Sequence, residues 1–487
     1  MTDPIFKKLP WRLVTLLLSA TSLTTLSHAE PEKKPVKVYI LSGQSNMVGI
    51  GQAGTTGRTA YQTYVSKETT EENQGTTLSI YQGAYDPSVD YDKAEAVETH
   101  VVRLGYWPHT SFPEVEGDQT QIARGYIKIG QPGRYTFNTT SSGSICEVDG
   151  KVVYNSINDK DADPEVVRYE TGIYPIEVTF PGAGKSNLTY QFLDVPGSLH
   201  TVAKEQKKYP ELVNEDGNWA SRDDVWYKGV VTATADKWLS IGCGAGDGQV
   251  GPELGFGWVV GDHHEEPVLI LKASEGNRSL AWDFLPPGSE RYEVGDTVYA
   301  GYKDYMSNWE KGTEPKPPGH GWYAGKQYDD CFDAAKKALS NFDENFPHWK
   351  DRGYEINGFV WWQGHKDSGN EVHSANYEKN LTHLIKTLRE DFKAPNAPFV
   401  VGTIGFGGWE MDGKYLEIVN SQLAVGDDEK HPEFADNVTT VETRDFWKSA
   451  EESPRSQDFH YNQNGETYYL VGRAFGKGML ELLEGDK

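Results

Sequence analysis

The 487 residues carry 47 basic and 72 acidic side chains, a formal net charge of −25. That balance excludes a nucleic-acid binder, which needs a basic face, and disfavours strongly anionic polymers unless a local basic groove exists. The length is enough for a large core and two or more domains, and three cysteines, Cys146, Cys243 and Cys331, allow at most one disulfide and match no zinc-site spacing.

The chain opens with the parts of a secretory leader. Lys7, Lys8 and Arg12 form a basic region, Leu13 to Leu18 a short apolar run, and Ser27-His28-Ala29 a small-x-small cleavage site. The apolar run is too short to span a bilayer. The expectation is a soluble protein, secreted or periplasmic, cleaved near Ala29 and not inserted in a membrane. Residues 36–43, VKVYILSG, read as a buried strand that ends on Gly43-Gln44-Ser45-Asn46-Met47. From about 53 to 97 the chain is polar and turn-rich. From about 98 to 200 the signals are all β: GYIKI, RYTFNTT, ICEVDGKVVY and YPIEVTF are alternating or β-branched runs bounded by Gly, Pro or Asn. Asp149-Gly150 between two of them predicts a hairpin turn.

After about 240 the rhythm is α/β. GPELGFGWVVGD reads as a helix, PVLILKAS as a core strand, QYDDCFDAAKKALSNF as a helix and INGFVWW as a strand. NYEKNLTHLIKTLREDF, PFVVGTIGF, NVTTVET and ETYYLVGRAFGKGMLELL continue as helix, strand, strand and helix. Such alternation predicts a mainly parallel sheet covered on both faces. One α/β domain, 36–97 and 201–482, with an all-β domain inserted at 98–200, is the economical reading.

In parallel α/β sheets reactive groups gather beyond the carboxyl ends of strands. Ser45 follows the first strand. Glu275-Gly276-Asn277-Arg278-Ser279 follow PVLILKAS, Gln363-Gly364-His365-Lys366-Asp367 follow INGFVWW, and Ser456 to Asn462 precede the last helix. Together they supply what acyl transfer needs: a serine hydroxyl, a histidine to take its proton, a carboxylate to orient the imidazole, and donors for an oxyanion. The backbone N–H groups of Ser45 and Gly276 and the Gln363 amide are the expected donors. The G-x-S-x-G elbow of α/β-hydrolases is absent, so a different serine-esterase architecture is implied.

GQSNM after the first strand, WWQG in the middle and a histidine in HYN before the final helix resemble the SGNH-type esterases, in the branch of sialate O-acetylesterase-like carbohydrate acetylesterases. The resemblance covers about residues 36–52 and 240–480. It implies a flavodoxin-like α/β/α sandwich, removal of acetyl groups from sugars, an acetylated carbohydrate as the partner, and no metal or cofactor. By position it makes Ser45 the nucleophile, Gly276 and Gln363 partners of Ser45 in the oxyanion hole, and His460 the general base. The family's D-x-x-H acid would fall at Gln457, so the orienting carboxylate is expected from Asp367, as in a QGExD pattern, ahead of Asp458; a dyad with a backbone carbonyl orienting His460 is the remaining option. The inserted stretch, about 100–195, is similar to the protective-antigen-type β-sandwich. The turn where lectin members carry two aspartates for calcium reads Ser141-Ser142-Gly143 here, against calcium-dependent sugar binding.

His263-His264-Glu265-Glu266 invites a metal reading, but adjacent side chains diverge and no H-E-x-x-H spacing exists. Asp159, Asp161, Asp163 and Glu170 mimic a calcium loop with Pro164 where that loop needs glycine. Two other functions stand beside the carbohydrate esterase: a degenerate glycan-binding protein, supported by the missing acid at 457, and a lipid or aryl esterase, which requires an extended apolar groove.

Overall fold

The computed structural model describes residues 33–59, 63–104, 117–140, 143–182, 187–313 and 321–485. The leader expected over 1–29 and the Ser141-Ser142 part of the turn lie outside the described residues. Among the described residues, seven strands build the main sheet: β1 (Val36–Gly43), β2 (Val225–Gly229), β3 (Asp236–Trp238), β4 (Val268–Ser274), β5 (Tyr354–Trp362), β6 (Phe399–Gly402) and β7 (Val438–Val441). Their order is β3-β2-β4-β1-β5-β6-β7, and every neighbouring pair is parallel except the β2–β3 hairpin. β4 is buried at every position and β1 at all but one, as strands covered on both faces must be.

Adjacent tryptophans at the end of β5 show the two covering layers, because successive side chains leave opposite faces of a strand. Trp361 meets Phe284 edge-on and donates to Tyr377 Oη, on the side of α3 (Lys326–Ser340) and α4 (Tyr377–Asp391). Trp362 packs on Tyr468 and Phe475 of α6 (Gly465–Glu484). Helix α2 (Glu253–His263) lies against α6, where Gly255 and Gly472 permit backbone contact: a Cβ on either would stand 2.0 Å from a carbonyl oxygen of the facing segment. Helix α5 (Gly413–Val425) packs beside α4. The fold is thus α/β with a mostly parallel sheet between helical layers, as expected. β2, β3, α5 and a small sheet of Tyr292–Val294, Thr297–Tyr299 and Asn308–Glu310 went unread in the sequence.

The β-rich stretch forms two antiparallel sheets around a separate aromatic core that includes Tyr135, Phe137, Tyr169, Tyr190 and Phe192. Pairing reaches further back than residue 98: Thr76–Gln82 pairs with Gln119–Ile129, and Thr56–Thr59 with Leu188–Phe192. Asp149 and Gly150 both have positive φ (55° and 75°) and turn the hairpin between Ile145–Val148 and Lys151–Asn155. All three cysteines are buried and free. His264 is drawn to Tyr39 Oη (2.7 Å) while His263 faces Glu484, so the pair diverges. Among the described residues no cluster of three or more His, Cys, Asp or Glu side chains is placed to share a metal, and no helix is long and apolar enough to cross a membrane.

A fully buried ion pair lies beneath the end of β1. Lys272 of β4 spends its three N–H donors on Glu253 Oε2, on Val48 O (3.0 Å) and on Cys243 O (3.3 Å), and Glu253 Oε1 accepts from Gly251 N–H (2.8 Å). Burial pushes the Glu253 carboxyl up and Lys272 pulls it back. Removing one partner strands the other charge, so Lys272→Met is expected to lower unfolding free energy by about 3–5 kcal/mol. Lys272→Met with Glu253→Gln is expected to recover much of that loss, as read from urea unfolding midpoints.

Candidate active site

GQSNM is decoded position by position. Gly43 is in register with Trp362, and a Cβ there would stand 2.1 Å from Trp362 O, so only glycine lets β1 and β5 end together. Gln44 turns inward, and its Oε1 accepts from Gly364 N–H (3.2 Å) and Lys366 N–H (3.3 Å), tying the loops after β1 and β5. Ser45 opens α1 (Ser45–Val48), a single turn. Asn46 is buried; its Oδ1 accepts from Tyr468 Oη (2.7 Å) and its Nδ2 donates to Phe459 O (3.1 Å). Met47 is buried in the core.

Phe459 leads to His460, whose Nε2 meets Ser45 Oγ at 2.9 Å. The turn that delivers it is strained: Tyr461, Asn462 and Gln463 are consecutive non-glycine residues at φ 48°, 51° and 55°. Each left-handed residue costs about 1–2 kcal/mol, and such a run persists only when its surroundings fix it. They do. Tyr461 Oη accepts from Gly405 N–H (2.6 Å) and pairs with Thr443 Oγ1 (3.0 Å). Asn462 Oδ1 accepts from Gln457 N–H (2.7 Å) and Asn462 Nδ2 donates to Lys448 O (3.0 Å).

The orienting acid is where the structure departs from expectation. Asp367 is buried, and its carboxylate accepts from Leu280 N–H (2.8 Å), Ala281 N–H (2.9 Å) and Gln363 Nε2 (2.6 Å). It clamps the loop after β4 to the loop after β5 and does not bond His460. Asp458 is exposed and makes no bond to the imidazole. His460 Nδ1 is buried without a hydrogen-bond partner. Burial, with His365 nearby, pushes the imidazole down to about 4, so it is neutral at physiological pH.

Gln363 departs from its expected role as well. Its amide donates to Arg278 O (2.9 Å) and to Asp367, while Oε1 accepts from Tyr377 Oη (3.0 Å). Both N–H groups are spent, so it braces the loops and offers no donor to an oxyanion. Gly276 abuts Ser45, with its Cβ position 3.9 Å from Ser45 Cβ, but its N–H is turned to Glu275 Oε1 (3.1 Å). Ser45 N–H has no partner among the described residues. Asn46, Tyr461, Asn462 and Tyr468 escaped the sequence reading; the one visible signal was the pair of amides flanking Ser45.

A cleft of about 440 Å³ opens between the loops after β4 and β5, lined by Asn277, Trp282, His365, Lys366, Asn370 and Lys414 among others; Ser45 and His460 are not part of its lining. Its lining begins one residue past Gly276 and one past Gly364. The His365 ring stacks on Phe459 (centroids 5.1 Å apart, 7° between planes), which joins the cleft to the histidine loop.

The carbohydrate esterase family described as sialic acid-specific acetylesterase matches residues 246–481, the C-terminal part of the chain. No curated protein matches. Among solved structures the chain is similar to a protein from Arabidopsis thaliana (14% identity, TM-score 0.34, 55% of this chain and 88% of that one). It is also similar to a carbohydrate acetylesterase from Xanthomonas citri (12%, 0.36, 76% and 72%) and to a family two carbohydrate esterase from Cellvibrio japonicus (10%, 0.26, 89% and 99%). At TM-scores below 0.5 none of the three bears on the chemistry.

Burial pushes the Asp367 carboxyl up to about 6, against the pull of Gln363, Ala281 and Leu280. Between about pH 4 and that value Asp367 holds a proton in the folded chain that it has lost in the unfolded one, so its own contribution to stability falls as pH rises through this window, by on the order of 3 kcal/mol, against the opposite contribution of His460. Asp367→Asn removes this slope. Urea unfolding of both proteins at about pH 4 and about pH 7 checks it, and equal slopes would place the titration elsewhere.

Proposed function

We propose that the protein is a secreted serine esterase that removes O-acetyl groups from carbohydrates through an acetyl-Ser45 intermediate. The 2.9 Å contact between Ser45 Oγ and His460 Nε2 carries the reading. The family matched by residues 246–481 supplies the substrate class. Ser45 precedes the matched part, yet β1 lies between β4 and β5, which belong to it.

In the first step Ser45 Oγ attacks the acetyl carbonyl carbon as its proton passes to His460 Nε2. The tetrahedral intermediate collapses, the C–O bond to the sugar breaks, and His460 returns the proton to the departing sugar oxygen. Water then attacks the acetyl carbon, giving its proton to His460; acetate leaves and the Ser45 hydroxyl is restored. Ser45 N–H serves the oxyanion, joined by Gly276 N–H once substrate displaces Glu275 Oε1. The imidazole works as the base of a dyad, held by its backbone and not by a carboxylate: Phe459 O is fixed by Asn46 Nδ2, and Asn46 Oδ1 is held in turn by Tyr468 Oη.

Polar lining favours a sugar over a lipid. Asn277, His365, Lys366, Asn370 and Lys414 bring amide, imidazole and ammonium groups to the cleft, where a lipid esterase would need continuous apolar surface.

Acetate release from a panel of acetylated polysaccharides and from p-nitrophenyl acetate tests the reading. Wild type is expected to act, and Ser45→Ala to lose about 10⁴-fold or more in kcat/KM while remaining folded. A folded wild type inert on every ester sinks it and leaves glycan binding as the function to test.

The pH profile tests the dyad. A general base must be neutral to accept a proton, so kcat/KM is expected to hold level at neutral pH and to fall only as pH drops through about 4, where His460 becomes charged. Asp458→Asn is expected to leave this limb in place. An acid limb near the ordinary histidine value that moves in Asp458→Asn would instead show Asp458 paired with the imidazole.

A further inference from the structure

Trp409 is 64% exposed, and no other tryptophan among the described residues belongs with the exposed large hydrophobic side chains. An exposed indole is ordinarily free to change rotamer; this one is held. Its Nε1 donates to Asp445 Oδ1 (2.8 Å), and the Arg444 guanidinium lies over one ring face at 4.1 Å. Arg444 is fixed in turn by a fork on Glu442, Nε to Oε1 at 2.9 Å and Nη2 to Oε2 at 2.6 Å. One face of the indole is therefore backed by a cation and the other is open to solvent.

The loop that carries Trp409 is bolted to the catalytic histidine. Gly405 N–H donates to Tyr461 Oη, one residue past His460. Gly408, at φ 60°, turns beside Trp447, which itself lies 6.1 Å from the Tyr461 ring. Phe406 packs edge-on against His365, a wall of the cleft (5.2 Å). Trp409 is three residues further on, within about 10 Å of Phe406 by chain reach. A held aromatic plane is thus carried on a loop that is tied both to the histidine turn and to the His365 wall of the polar cleft.

We propose that the open face of Trp409 is a binding platform for a pyranose ring of the substrate chain, outside the unit that is deacetylated. This rests on the carbohydrate reading above and deepens it: the substrate is an oligosaccharide or polysaccharide, not a single acetylated sugar. The C–H face of a pyranose is apolar and covers an indole face well, while its equatorial hydroxyls project to the rim, where Asp445, Arg444 and Glu442 cluster. Immobilising the ring beforehand lowers the entropic cost of that contact. Since the platform touches a remote unit, it contributes to binding and leaves the chemical step alone.

The test compares wild type, Trp409→Ala and Trp409→Phe on three substrates: p-nitrophenyl acetate, an acetylated monosaccharide and the acetylated polysaccharide that wild type hydrolyses. Trp409→Ala is expected to raise KM for the polymer roughly three- to tenfold, with kcat unchanged and both small substrates unaffected. Trp409→Phe is expected to recover part of the loss. Retention of Ser45→Ala and of Ser45→Ala/Trp409→Ala by immobilised polysaccharide gives a readout without turnover, and the double variant is expected to be retained less. Equal polymer KM and equal retention overturn the platform while leaving the esterase standing. Trp409-dependent retention by a protein without esterase activity overturns the esterase and keeps the platform. A wild type that neither hydrolyses nor is retained by any polysaccharide overturns both.

Discussion

The candidate site depends on how tightly β1 can end between its two neighbours. Gly43 is in register with Ser274 of β4 and with Trp362 of β5, so β1 finishes side by side with two strands that lie more than two hundred residues further along the chain. A methyl group at Gly43 would collide with the Trp362 carbonyl. The bare backbone there lets Ser45, Gly276 and Gln363 occupy neighbouring loops. Beneath this junction the Lys272–Glu253 pair holds Val48 O, at the far end of the one-turn helix that Ser45 opens. A four-residue helix has little stability of its own. Its geometry is therefore set by the bonds at its ends and by Met47 in the core.

The fold was legible where periodicity was long or where a run was wholly apolar. VLILKAS and INGFVWW could be little else than central strands, and α4 and α6 carry apolar stripes over fifteen and twenty residues. What went unread was short or mixed. β2 and β3 have five and three residues, and β3 is the sheet's edge. The early strands of the β-rich part, such as Thr76–Gln82, alternate only weakly and lie in a turn-rich stretch. Such pieces become strands because a partner distant in sequence pairs with them, and a local window cannot see that partner.

The candidate site was legible as an inventory and illegible as directions. Ser45 and His460 meet as their residue types and positions require. Asp367 and Gln363 are at the active end of the sheet too, but they face one another. A short 3-10 turn at Asp367–Gly369 aims the carboxylate down at Leu280 and Ala281. Spacing along a sequence fixes which loop carries a side chain, and one residue of register decides where it points. Together the two residues cross-link the loops after β4 and β5, which keeps Gly276 against Ser45.

The unpaired Nδ1 of His460 follows from the same geometry. An imidazole that accepts a proton from Ser45 at Nε2 carries its own hydrogen on Nδ1, and here that N–H is buried with no acceptor. Leaving one such donor unsatisfied costs about 1–3 kcal/mol, and in the imidazolium the unpaired group also carries charge, so the cost grows as the proton arrives. That is the physical meaning of the depressed basicity of His460. In a triad a carboxylate removes this cost. Here the restraint on the ring comes from the left-handed turn 461–463, the Asn46 bond to Phe459 O and the stack of Phe459 on His365. These fix where the imidazole lies without raising its affinity for a proton. The consequence is an imidazole that remains neutral well into acid.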